Sequence, residues 1–147
     1  MINILTKLSG AALILACTSL IAADTTELIG RGEALMREGR LADALSTLEQ
    51  AVAADPKSSL AYTRLGGAQL LHQDHASAIG SFRQAIILDG KNADAFVGMA
   101  MAYLHNGDYA LARAALEEAK RIDPTKQAKV DEVIAYIDRR EAGGSAH

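Results

Sequence analysis

The chain repeats itself every 34 residues, and this period restricts its fold more than any other property of the sequence. Ala44, Ala78 and Ala112 keep that step, as do Ala51, Ala85 and Ala119, and again Leu48, Phe82 and Leu116. Upstream, Gly32, Gly66 and Ala100 fall in the same register, together with Leu28, Tyr62 and Phe96. Pro56 and Pro124 lie two periods apart, with Gly90 midway. A unit of this length cannot bury its apolar face alone. Copies must stack, and the ends of the stack must be capped.

Each period holds two helical patterns. In the third, Ala95, Phe96, Met99, Ala100, Tyr103 and Leu104 form one apolar face at i, i+3, i+4 spacing. Asn106-Gly107-Asp108 interrupts it, with Gly where a helix exit needs positive φ. Tyr109, Ala112, Leu116, Ala119 and Ile122 mark a second helix, and Asp123-Pro124 ends it. The inner turns of the first and second periods fall at Arg37-Glu38-Gly39-Arg40 and Gln73-Asp74, and their exits at Asp55-Pro56 and Asp89-Gly90. Composition agrees: aromatic residues make up 4%, there are two Pro, and half the chain is hydrophobic, which disfavours sandwiches and barrels. Small residues at Gly32, Gly66, Ala100, Ala44, Ala78 and Ala112 let paired helices approach closely.

These columns resemble the tetratricopeptide repeat. The third period carries Phe96, Ala100, Tyr103, Ala112, Leu116, Ala119 and Pro124; the first carries Leu28, Gly32, Leu35, Ala44, Leu48, Ala51 and Pro56. The second carries Tyr62, Leu65, Gly66, Ala78, Phe82 and Ala85, and departs from the pattern at Gln69 and Gly90. The resemblance implies an all-α, right-handed superhelical solenoid of three helix-turn-helix repeats, over 25–58, 59–92 and 93–126. Val130, Val133, Ile134 and Ile137 stripe one face of a capping helix expected over 126–141, with a flexible tail over 142–147. The repeat domain as a whole is expected over 24–141.

The resemblance also implies a concave groove, lined by the first helices of successive repeats, that holds a peptide or helix of another protein. Matching positions give Ile29, Glu33 and Met36 from the first repeat and Thr63, Arg64, Gly67 and Leu70 from the second. The third supplies Val97, Met101, Leu104 and His105, and Asp131 and Ala135 of the cap are expected to close one end. Arg64 stands without a basic companion there, so a clamp for a terminal carboxylate is not expected. Met36, Met99 and Met101 add adaptable apolar surface. The expected ligand is an apolar peptide or an amphipathic helix.

Residues 1–23 read as a separate leader. Lys7 is their one charge, and an apolar stretch of about 16 residues, short of the ~20 needed for a membrane span, runs from Leu8 to Ala23 before Asp24. This pattern predicts a secretory signal cleaved after Ala23, of bacterial type, and a periplasmic location. Two alternatives stay open: an uncleaved anchor facing the periplasm, and a lipoprotein tethered through Cys17, since Ile14-Leu15-Ala16-Cys17 resembles a lipoprotein box.

Nothing in the sequence points to chemistry. His72, His75 and His105 sit at or beside turns and are expected to be exposed; no metal or cofactor is expected. Gly30-Arg31-Gly32 and Gly66-Gly67 follow no strand and are not nucleotide loops. A net charge of −3 gives no basic footprint for nucleic acid. The single Cys precludes an intramolecular disulfide. The expectation is a non-enzymatic exported adaptor or assembly factor, monomeric or weakly homo-oligomeric. The alternative is a membrane-tethered lipoprotein or a self-assembling structural scaffold.

Overall fold

The computed structural model describes the backbone of residues 10–144 and the side chains of residues 24–143. The expected leader over 1–23, with Cys17, therefore lies outside the residues whose side chains are described, as do 145–147 of the expected tail. The described residues form seven α-helices and no strand: α1 (Gly10–Arg37), α2 (Leu41–Ala54), α3 (Ser59–Leu71), α4 (His75–Leu88), α5 (Ala93–Asn106), α6 (Tyr109–Ile122) and α7 (Gln127–Gly144). A 3-10 turn, Pro124–Lys126, joins the last two. Helices pair as α1/α2, α3/α4 and α5/α6; each pair packs on the next, and α7 packs on α6. This is the stack of three hairpins and a cap that the period requires. The cap begins one residue later than expected and continues to Gly144 rather than 141.

The turns repeat as faithfully as the helices. Gly39 and Gly107 have φ of 76° and 81°. The Gly39 amide donates to Met36 O at 3.1 Å and the Arg40 amide to Leu35 O at 2.9 Å. The Gly107 and Asp108 amides make the same two bonds to Leu104 and Tyr103, which is the Schellman closure of a helix end. Gln73 occupies the equivalent position in the middle repeat with φ of 66° and identical bonding, to Leu70 at 3.1 Å, followed by Asp74 to Gln69 at 2.9 Å. A side chain there strains the left-handed backbone that glycine adopts freely.

The hairpin exits are equally regular. Asp89 and Asp123 leave their helices in extended backbone, and Asp55 does so at similar angles, φ −137° and ψ 89°. Their carboxylates accept from the amides of Lys57 (3.0 Å), Lys91 (2.9 Å) and Thr125 (3.1 Å). The next helices then start on Ser58 and Asn92, whose side chains accept from Ala61 N and Ala95 N.

Packing between the paired helices depends on glycine. Leu48, Phe82 and Leu116 are buried at the hairpin centres. A Cβ at Gly32 would stand 2.5 Å from Leu48 Cγ, and one at Gly66 would stand 2.9 Å from the Phe82 ring. Phe82 is larger than Leu48 and reaches the following repeat, where a Cβ at Gly98 would collide with the same ring. The middle repeat thus carries a wedge held between two glycines, Gly66 on α3 and Gly98 on α5.

Two outcomes follow for urea unfolding of the full chain. Gln73→Gly is expected to raise stability by about 1 kcal/mol, the relief of a left-handed non-glycine residue; an unchanged or lower value contradicts the strain. Gly98→Ala is expected to cost about 1–3 kcal/mol from overpacking, despite its better helix propensity. In Gly98→Ala/Phe82→Leu the loss is expected to fall short of the sum of the single losses by about 1 kcal/mol or more; additive losses would show that the ring and residue 98 do not meet.

Candidate functional site

The first helices of the hairpins touch each other directly, α1 against α3 and α3 against α5. Small residues permit this. Ala61 and Ala95 are one period apart, as are Ala68 and Ala102, and all four are fully buried. One further period on, in α7, the same columns read Lys129 and Tyr136. Long side chains now stand where the close approach was made. Among the described residues α7 has no backbone approach to α5 comparable to those of the earlier first helices. A cleft of about 490 Å³ opens between them. Met101, Leu104 and His105 form its α5 wall, and Val133 and Tyr136 form the apolar part of its α7 wall. Lys129, Glu132 and Arg139 complete the lining.

The opposite side of α7 is tied down. Val130 and Ile137 are buried with Ala112, Ala115 and Leu116 of α6. Around that core, Lys120 meets Asp131 at 2.7 Å, Lys126 meets Asp94 at 2.6 Å, and Arg113 meets Asp138 and Glu141 at 2.5 and 3.2 Å. The helix is therefore anchored on α6 while it stands off from α5. Tyr136 is fixed from its own helix: Arg140 Nε donates to its hydroxyl at 2.9 Å, with the guanidinium 5.4 Å from the ring centroid.

The sequence-predicted groove positions divide into three groups. Met101 and Leu104 line the cleft, with His105 beside them. Ile29 is buried with Ala51 and Ala61, Met36 packs on Leu48, Leu65 and Ala68, and Leu70 packs on the Phe82 cluster. Thr63 is buried in a polar joint, where its hydroxyl donates to Ser59 O at 2.8 Å and accepts from Asn92 Nδ2 at 2.9 Å. Asn92 Nδ2 also reaches Ser59 Oγ at 2.8 Å, and that hydroxyl donates to Ala85 O at 2.9 Å. The joint satisfies polar groups where three helices converge. The remaining positions stay nearer the surface. Glu33 and Arg64 form an ion pair across α1 and α3, which occupies the Arg64 cation, and Val97 is half-buried. A side chain at Gly67 would meet only open space.

Within the cap, Asp131 is exposed and paired with Lys120, on the α6 side, and Ala135 is half-buried; neither belongs to the cleft lining. The cleft-facing cap residues are Lys129, Glu132, Val133, Tyr136 and Arg139; of these only Val133 belongs to the expected apolar stripe, and none was expected in the groove. The signal for them lay in the Ala95 and Ala102 columns, continued one period into the cap.

His75 is not the free turn residue expected. Its ring stacks on His105, with centroids 4.6 Å apart and planes 3° from parallel, and its Nδ1 is buried without a hydrogen-bond partner. The stack fixes the His105 ring at the cleft. Among the described residues no group of three or more His, Cys, Asp or Glu side chains is placed to hold a metal ion, and no helix is long and apolar enough to cross a membrane.

Two family models, both described as tetratricopeptide repeat, match residues 29–93 and 69–135. No curated protein matches the chain. Solved structures that resemble it include the first such domain of human RPAP3, at 16% identity and a TM-score of 0.79, covering 84% of this chain and 98% of that one. The first domain of Spaghetti (RPAP3), solved bound to the HSP90 peptide SRMEEVD, is 17% identical with a TM-score of 0.77, covering 82% and 94%. The Yersinia enterocolitica type III secretion chaperone SycD, solved with a peptide of the translocator YopD, is 19% identical with a TM-score of 0.72, covering 79% and 93%. At these identities the likeness is one of fold.

The ties of α7 make its seating pH-dependent. The Lys120 ammonium holds the Asp131 carboxyl below its ordinary range. The Thr125 hydroxyl and amide, with Lys126 behind them, do the same for Asp123. Carboxyls held low contribute stability above the unfolded value, near pH 4, and lose it as pH falls through the folded values. The melting temperature is therefore expected to fall below about pH 4, and less steeply in Asp131→Asn. An equal acid slope in that variant would show that the Lys120 pair does not hold the cap.

Proposed function

From a chain that belongs to the tetratricopeptide-repeat family, we propose a non-enzymatic adaptor or assembly factor that holds an apolar segment of a partner protein in the α5–α7 cleft. One observation carries this reading: the stack closes at every earlier junction of first helices and opens at the last, over Met101, Leu104, Val133 and Tyr136. Preformed concave surfaces with an apolar floor and a few polar groups are where ligands bind. The Spaghetti and SycD structures, each solved with a bound peptide, support a protein partner. The fold serves generally as an interaction module, which supports binding as the role.

The leader over 1–23 supports export to a periplasmic space, with the adaptor acting there after cleavage behind Ala23. A second reading, a lipoprotein tethered at the membrane, rests on the Ile14-Leu15-Ala16-Cys17 box. Mass spectrometry of the mature N-terminus separates the two: Asp24 supports the first and an acylated Cys17 the second.

Met101→Glu places a carboxylate on the cleft floor without touching the Ala100, Ala112 or Leu116 columns. That charge must be desolvated or neutralised against an apolar ligand, so partner capture is expected to drop about tenfold or more, with the helical signal intact. Val97→Arg, a half-buried site beyond the cleft lining, is expected to weaken capture less. Ala112→Leu serves as the control that unfolds the last repeat by overpacking. Wild-type capture by folded Met101→Glu would move the binding surface elsewhere.

A further inference from the structure

We propose that the α5–α7 cleft selects an extended partner segment of about five residues, with an acidic side chain at each end and a bulky apolar one between; this rests on the cleft being the partner site. The charge inventory points there. Beyond residue 107, Arg113, Lys120, Arg121 and Lys126 are each ion-paired, and Arg140 is bound to the Tyr136 hydroxyl. Lys129 and Arg139 are the two lysine or arginine side chains of that region without such a partner among the described residues, and both lie on the cleft. Of the three cations of α7, Arg140 is held by Tyr136 and the other two stand on the cleft.

Spacing sets the length of the ligand. Lys129 and Arg139 are ten residues apart on one helix, about 15 Å at a rise of ~1.5 Å per residue. An extended chain covers that distance in about five residues at ~3.3 Å each. Glu132 lies between the two cations along α7 and repels a carboxylate at the centre, where Met101, Leu104 and Tyr136 present apolar surface instead. Acid at the ends and an apolar middle is thus the arrangement that the cleft accepts with no like charges opposed.

The test uses the full chain, isotope-labelled, titrated with three synthetic peptides that share an apolar centre: Glu-Ala-Leu-Ala-Glu and its Gln-flanked and Lys-flanked counterparts. Shifts are expected around Met101 and Tyr136. The Glu-flanked peptide is expected to bind about tenfold tighter than the Lys-flanked one, with the Gln-flanked one between. That preference is expected to shrink with added salt and to vanish in Lys129→Ala/Arg139→Ala. Equal binding of all three peptides around Met101 would overturn the acidic preference while leaving the cleft as the partner site. A preference that persists in the double variant would also overturn it. Absence of shifts around Met101 with every peptide would overturn both the preference and the cleft reading.

Discussion

The close approach of successive first helices is the constraint on which the rest of the molecule depends. Two helices with ordinary side chains at their contact lie 8–10 Å apart, and these are drawn together by alanine and glycine. Ala61, Ala95, Ala68 and Ala102 are fully buried, and Gly98 yields its Cβ volume to the Phe82 ring. Because the repeat period carries these columns forward in register, the solenoid is closed wherever they are small. Lys129 and Tyr136 continue the alanine columns with long side chains, and the cleft begins there. Its position follows from where the small residues stop.

The cap meets two demands with two faces. Its Val130 and Ile137 face extends the α6 core, and three ion pairs with α6 secure it, while Lys126 of the joining turn is paired with Asp94 of α5. Surface pairs of this kind are individually worth little, so the buried Val and Ile side chains, at about 1.5–3 kcal/mol each, hold the helix and the charges set its rotation. Among the described residues no helix brings its backbone against the other face as α6 does. A helix that only terminated the stack would carry solvated polar residues there. Val133 and Tyr136 instead keep it partly apolar, with Tyr136 braced by Arg140.

Much of this was legible in the sequence because the period is a strong signal. Three hairpins, their turns and a capping helix follow from columns such as Ala44, Ala78 and Ala112, and from the exits at Asp55, Asp89 and Asp123. The groove was harder to read because facing direction varies along a column. Ile29, Thr63 and Val97 share one register, yet Ile29 enters an apolar core and Thr63 a polar joint with Asn92 and Ser59. The Thr63 hydroxyl accepts from Asn92, 29 residues on at the start of α5, a partner that no local pattern reveals. The His75–His105 stack was invisible for the same reason. Gln73 could be placed at a turn, but its left-handed backbone shows only against Gly39 and Gly107 in the same register.

The central claim is that a partner enters between α5 and α7. A photoreactive benzophenone residue placed at Met101 on the cleft wall, and in a separate chain at exposed Ile87 on α4, tests it in the native compartment. The account predicts that irradiation joins a partner protein to the chain labelled at 101 and not to the one labelled at 87. Crosslinking from position 87 with none from 101 would contradict it.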